Sequence, residues 1–430
     1  MIAFTKQENN ILKECIYTAE HESGLKIAVM PKSGYSKTYA VFGTHFGSVD
    51  NQFIAPSKTE KTLLPDGIAH FLEHKMFEQP DGGNVFESYA AHGASANAYT
   101  SFHVTAYLFE STQDICENLA ILLDFVQKPY FTDENVAKEQ GIIGQEIGMY
   151  DDDPDWQLMM GFLQGMFIEH PVNIDIAGTV ETISHITKET LYECYHTFYN
   201  LSNMCLFIIG DVDPEKLSAC IEEHLYQKAK AEGEIKRFYG SEPLEVKMPL
   251  VEKKLDVSVP MFMLGFKDPD CGYDGKALLK KDIELSIIAE ILFGKTSPVY
   301  TKLYDGGYIL GDMDAETACE TAYGYVALSG ESPDPKKVRE LIFEALTQAQ
   351  KDGLSKEDVD RVIRAMTGRY IKQFNNLNAV AHQYIGQVFN GIMPFDFMEV
   401  IGEVTLEDLN KRLRSYFDTS RAVLSVVAPR

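Results

Sequence analysis

At 430 residues, 45% hydrophobic and 24% charged, the chain is too long for one ordinary core and points to two domains of about 200 residues each. Its 64 acidic against 39 basic side chains give a formal charge of −25, which argues against a nucleic-acid partner, because phosphate binding needs clustered Lys and Arg. No apolar run of about 18 residues occurs, so no membrane-spanning helix and no membrane partner are expected.

The opening MIAFTKQENN lacks the basic and apolar regions of a secretory signal. The seven cysteines, Cys15, Cys116, Cys194, Cys205, Cys220, Cys271 and Cys319, are scattered and never form a CxxC pair. They read as reduced thiols, and the expected location is the cytoplasm. The acidity would favour basic peptides if it lined a cavity; general solubility is the plainer reading.

In chain order, GLKIAVMP (24–31) and KTYAVFGTHFGSVD (37–50) alternate like strands on either side of a Gly34 turn. Residues 67–78 and 84–92 read as helices, and ANAYTSFHVTAYLFES (96–111) as one or two strands. Long amphipathic helices are predicted over 114–127 and 133–150. The charged, Gly- and Pro-broken stretch QKAKAEGEIKRFYGSEP (227–243) divides the chain into domains 1–228 and 244–430, with 229–243 as linker. The second half predicts a strand in VSVPMFMLGF (257–266), a helix over 277–293 and strands near 307–330. Helices over 335–351 and 355–374 follow.

The halves repeat each other faintly. TAYLFEST (105–112) and TAYGYVALSGES (321–332) lie 216 positions apart, as do Phe77 and Phe293. FTDENV (131–136) resembles LSKEDV (354–359), each a helix start with Thr132 or Ser355 as N-cap and Glu134 or Glu357 in the first turn. MCLFIIGDVDP (204–214) and RAVLSVVAP (421–429) close the halves alike. The fold class is therefore α+β: two homologous domains, each a mostly antiparallel β-sheet covered by helices.

GIAHFLEHKMFE (67–78) places His70, Glu73 and His74 in a helical run. Positions i and i+4 share a helix face, so His70 and His74 can aim at one point. A catalytic zinc accepts two imidazoles, needs a third protein ligand, and keeps one position open. Glu73 lies near that face as the acid–base group of an H-x-x-E-H pattern. The residues alone leave a second reading open, a helix whose histidines are merely packed.

Downstream, KEQGIIGQEI carries Glu139 and Glu146 two turns apart on one face. Ile142, Ile143 and Ile147 mark the expected buried side. A carboxylate aimed at a core is costly unless paired or metal-bound, which makes Glu146 the third ligand candidate. Asp153-Pro154 then stops the helix, and Asp151, Asp152 and Asp153 read as a solvated end. FGKTSP (293–298) is no phosphate loop, because Ala289 stands where the required first glycine would be. His103, His185 and His382 read as scattered surface or core residues.

HFLEH followed by E-x6-E resembles the pitrilysin, or M16, metallopeptidase family, which includes insulin-degrading enzyme and the mitochondrial processing peptidase. LPDGIAHFLEHKMFE, ASANAYTS, MYDDDPDW, IIGDVDPEKL and the duplicated halves extend the likeness over most of the chain. The resemblance implies a LuxS/MPP-like metallohydrolase fold and one Zn2+ per chain held by His70, His74 and Glu146. It makes Glu73 the general base and Glu139 a carboxylate steadying a ligand. SANAYT (95–100) matches the family's edge strand, so Ala96, Asn97 and Ala98 would bind a peptide substrate, with the Asn97 amide orienting the scissile region.

Where family members carry an Arg, SPVYTKLYDGGYILGDM (297–313) has Tyr304, and no Tyr follows at the family spacing. Tyr304 or Tyr308 would substitute, or a partner chain would supply the pair. At the 216 offset His70, Glu73 and His74 become Ser286, Ala289 and Glu290, so the second half is expected to hold no zinc. The implied function is a zinc endopeptidase acting on short or unfolded peptides enclosed between two domains. Partner candidates are a second copy (homodimer) or a zinc-free M16-like chain (heterodimer). The alternatives are a non-proteolytic or partner-dependent assembly subunit, and a dedicated peptide-maturation protease.

Overall fold

The computed structural model describes residues 2–56, 58–80 and 82–430. Its strands in the first half are β1 (Thr5–Asn9), β2 (Glu14–Glu20), β3 (Lys26–Pro31), β4 (Thr38–Thr44), β5 (Gln52–Ile54) and β6 (Thr62–Leu63). They continue with β7 (Ala94–Thr100), β8 (Thr105–Ser111), β9 (Met204–Gly210) and β10 (Lys236–Arg237). The second half has β11 (Leu250–Leu255), β12 (Met261–Lys267), β13 (Asp314–Cys319), β14 (Gly324–Glu331) and β15 (Ala422–Pro429). The expected single or double strand at 96–111 is two, turning at Ser101–Val104.

Two sheets carry the same plan. The first runs β1-β2-β3-β9-β4-β8-β7 and the second β11-β15-β12-β14-β13. Without the added β1–β2 hairpin, the orders match strand for strand. Each is antiparallel except for one pair, β3 with β9 and β11 with β15. The duplication and the α+β class expected from sequence are thus present in the sheet topology. β5, β6 and β10 form a small separate sheet, and β10 lies inside the expected linker.

The chain packs as two compact units built from interleaved segments, unlike the contiguous halves expected at 1–228 and 244–430. Residues 1–147, 174–238 and 371–389 form one unit, and residues 148–173, 239–370 and 390–430 the other. In chain order the first helices are α1 (Ile68–Lys75), α2 (Val85–Ala91), α3 (Ile115–Val126), α4 (Asp133–Asp152) and α5 (Pro154–Met166). α5 packs on β11, β12 and β15, whereas the helix Leu377–Val388 packs on β4 and β9. These two helices follow equivalent long helices in the two repeats, so the units exchange corresponding elements. Asp153 explains why α5 is hidden in the sequence. The residue that ends α4 also caps α5, its side chain accepting from Trp156 N, with Pro154 in the first turn.

The core of the first unit gathers Phe71 and Leu72 of α1 and Met76 just after it with Tyr107 and Phe109 of β8 and Leu119 and Leu122 of α3. α1 is short and buried nearly all round, so tertiary packing rather than propensity holds it. It starts at Gly67, whose φ of 90° suits glycine. A Cβ there would lie 2.4 Å from the Ala177 carbonyl oxygen. Gly67 is therefore required twice, by backbone conformation and by close approach.

Candidate metal centre

α1 packs against the edge strand β7 and against β8, fixing one wall of the site. His70 and His74 stand on one face of α1, with ring centroids 4.6 Å apart and planes inclined by 63°. α4 brings Glu146 to them across a sequence gap of 72 residues. His70 Nε2 lies 3.7 Å from Glu146 Oε1, and His74 Nε2 lies 3.6 Å from Glu146 Oε2. One donor atom from each of the three falls within 4.8 Å of the others, the one such group of metal-capable side chains among the described residues. Ligands around a tetrahedral zinc sit about 3.4 Å apart, given metal–ligand lengths of about 2.0–2.1 Å. The cluster is therefore close to the size needed.

The donor chemistry fits zinc as well. Two imidazoles and one carboxylate are a known catalytic zinc set. Burial, reinforced by the neighbouring His74, lowers His70 to about 4, so its ring is neutral and able to ligate. Its Nδ1 is buried and has no hydrogen-bond partner, so Nε2 is the nitrogen turned toward the carboxylate. His74 is held differently: its Nδ1 contacts Glu139 Oε1 at 3.0 Å. As an Nδ1–H donor to that oxygen it presents Nε2 toward Glu146. Burial pulls His74 down, but the Glu139 hydrogen bond and the charges of Glu73, Glu139 and Glu146 outweigh it, and its pKa is raised. Burial pushes Glu139 up; its bond to His74 and the nearby Lys75 charge overcome that and hold it below the usual carboxylate range.

Glu73 has a different environment. It is buried at 8% exposure, and burial raises its carboxyl to about 7, partly offset by a hydrogen bond from Thr100 Oγ1 to its Oε2. Its other oxygen, Oε1, takes no part in that bond. Neither Thr100 nor Lys75 was singled out by the sequence reading. Nothing in a β-strand threonine or a lysine after a histidine marks them; both contacts depend on tertiary placement.

The remaining sequence candidates lie as follows. Ala96 and Ala98 of β7 pack toward the core, while Asn97 alternates to the exposed side. The Asn97 Oδ1 accepts from the Ala98 backbone N–H at 2.9 Å. β7 ends its sheet, with β8 as its one sheet neighbour among the described residues. Tyr304 lies in the other unit on the helix Pro298–Asp305, 54% exposed and stacked on Tyr300. Ile142, expected on the buried side of α4, is 45% exposed, whereas Ile143 is fully buried. Neighbouring helix positions differ by about 100°, so the buried stripe runs through Glu139 and Ile143 and leaves Ile142 outside. No helix is long and apolar enough to cross a membrane among the described residues.

Comparison with known proteins decides the family. An uncharacterized zinc protease of Bacillus subtilis, YmfH, is 43% identical over 420 residues, covering 97% of this chain and 98% of that one. The chain belongs to peptidase family M16. Residues 59–180 match the M16 family described as Insulinase, and residues 185–366 match the domain described as Peptidase M16 inactive domain. The M16 assignment extends to solved structures. A chain from Alicyclobacillus acidocaldarius, described as M16-like, superposes with a TM-score of 0.92 at 36% identity, covering 100% of this chain and 99% of the other. A protease from Helicobacter pylori shares the fold at 16% identity, with a TM-score of 0.81 and 100% of both chains covered.

Proposed function

We propose that this chain is a zinc-dependent endopeptidase that hydrolyses peptide bonds in short or unfolded peptides. One observation carries the reading: His70, His74 and Glu146 converge while Glu73, on the same helix, is a buried carboxyl poised near neutrality. His70, His74 and Glu146 would hold one zinc per chain, and a bound zinc would supply Lewis acidity toward water and the scissile carbonyl. Glu73 takes the proton of the attacking water at Oε1 and returns it to the leaving amine. Thr100 keeps the other oxygen in place during both transfers. Glu139 holds His74 in the tautomer that leaves Nε2 free.

The substrate would lie along β7 as an added antiparallel or parallel strand, recognised mainly by backbone hydrogen bonds. That mode favours extended, unfolded segments over folded proteins. Asn97, which already occupies the Ala98 N–H, would release it to the arriving backbone and contribute its amide to the bound peptide. The seven free cysteines suit a reducing compartment, and the cytoplasm is the proposed location.

A partner-dependent form of this reading rests on Tyr304, which stands where the family resemblance places an Arg. A phenol stabilises a developing oxyanion less than a guanidinium does. In that form a zinc-free M16-like chain supplies the cation.

The test is Glu73→Gln in the full chain, with zinc content and cleavage of a quenched-peptide library measured together. The expected result is unchanged zinc and a loss of turnover of about 10²–10⁴-fold. Wild-type turnover in that variant would remove Glu73 from the role. A zinc-loaded wild type that cleaves only after addition of a second M16 chain would favour the partner-dependent form.

A further inference from the structure

We propose that Lys75 is a positioning residue for the metal centre: it grips Glu139, and through Glu139 it fixes the ring of His74. This inference rests on the metal-centre reading above.

Lys75 follows His74 in α1, and its side chain has no exposure at all. Burying an ammonium is costly, and an apolar side chain of similar volume would fill the same space without that cost. Packing alone therefore gives no reason for a lysine here. Its contacts supply one. Nζ lies 2.7 Å from Glu78 Oε1 and donates to the Asn135 carbonyl oxygen at 3.2 Å. Those two partners anchor the ammonium, and it faces Glu139 Oε2 at 3.6 Å.

The anchor is itself held. Asn135 Oδ1 accepts from Thr132 N, and Thr132 Oγ1 accepts from Asn135 N, a reciprocal pair that fixes the first turn of α4. Glu139 follows one turn later on the same face. Its two oxygens are divided between the two neighbours on α1: Oε1 meets His74 Nδ1 at 3.0 Å, and Oε2 meets Lys75. The terminal torsion of a glutamate is broad, so a carboxylate held at one oxygen can pivot. Held at both, it offers Oε1 to the imidazole in one orientation. The ring that presents Nε2 toward Glu146 inherits that orientation. Lys75 touches neither substrate nor metal in this arrangement and acts through a chain of two side chains.

The experiment measures zinc affinity of the full chain by competition with a chromophoric chelator, and the visible absorption of the cobalt(II)-loaded protein. Lys75→Met is expected to weaken zinc binding by about 10–100-fold and to change the cobalt spectrum in a chain that still folds, although its metal-free form melts lower because the Glu139 carboxylate and the Asn135 carbonyl lose a buried partner. Glu139→Gln is expected to weaken binding similarly, and Lys75→Met added to it to cost less than about twofold more, because the two act as one unit. Should Lys75→Met not fold, Lys75→Gln is read the same way. Wild-type affinity and spectrum in either variant, or full additivity with Glu139→Gln, would overturn the proposal. A wild-type chain that takes up no zinc would instead overturn the metal-centre reading, so the two failures are distinguishable.

Discussion

Thr100 donates from Oγ1 to Glu73 Oε2 at 2.8 Å, so the last residue of the edge strand grips the candidate base on α1. The strand proposed to receive substrate and the group proposed to move its proton are thereby one mechanical unit. This bond favours the ionised carboxyl against the burial that raises it to about 7. Thr100→Val, of nearly equal volume, removes the donor and leaves the His74 charge as the remaining opposition to burial. Since Glu73 acts as a base only when ionised, the acidic limb of the kcat/KM profile should move to higher pH, by up to about one unit. A pH–rate profile of the two proteins reads this directly; a limb that stays in place would separate Thr100 from the base.

Metal should stabilise the fold by mass action. At free zinc about 1,000 times Kd, the folded state gains about 4 kcal/mol, provided the unfolded chain binds little. Chelation is therefore expected to lower the melting temperature of the zinc-loaded protein. Glu146→Ala should melt at the same temperature with and without chelator. A chelator-sensitive melt in that variant would mean the ion sits elsewhere.

Gly67 sets where α1 begins, with a positive φ and a carbonyl 2.4 Å from the place a Cβ would take. Both penalties fall on Gly67→Ala. The expected loss is about 2 kcal/mol or more in urea unfolding. Because the obstacle is the Ala177 backbone rather than a flexible side chain, α1 has to shift, and zinc affinity should fall with stability.

His170 gives the second unit a pH-dependent contribution. It is 1% exposed, and burial, helped by the Lys267 charge, lowers its pKa to about 4. Its Nδ1 accepts from Val172 N at 3.1 Å, which the neutral ring alone can do. The unfolded histidine titrates near 6.5, so between about 6.5 and 4 the unfolded chain binds more protons than the folded one. Stability is full above that window and falls as pH drops through it, by up to about 3 kcal/mol. His170→Asn keeps an acceptor and removes the titration. Its unfolding free energy should therefore be flatter between pH 6.5 and 4 than that of the wild type.

The centre of the site was legible because its geometry is local. His70 and His74 are one helical turn apart, and Glu139 and Glu146 two turns apart, so periodicity alone puts each pair on a face. What joins the pairs is not local. Lys75 looks like any surface lysine until α4 closes over it, and Thr100 looks like any strand residue until α1 packs beside β7. The repeat showed in paired segments, yet the strand order did not, because alternation tells which face a residue takes and not which strand lies beside it. Ile142 shows the limit of that reasoning: one position from a fully buried neighbour, it faces outward.

The reciprocal exchange of α5 and the helix Leu377–Val388 has a consequence for biosynthesis. The segment that completes the first unit, 371–389, leaves the ribosome after residues 148–173 and 239–370 of the second unit. The first sheet therefore waits, with the face that Leu377–Val388 covers bare, while residues 239–370 are made. A truncated chain ending near residue 228 would carry the whole HFLEH helix and Glu146 and still expose that apolar surface. Expressed alone, it should aggregate, the more so because α5 has lost β11, β12 and β15.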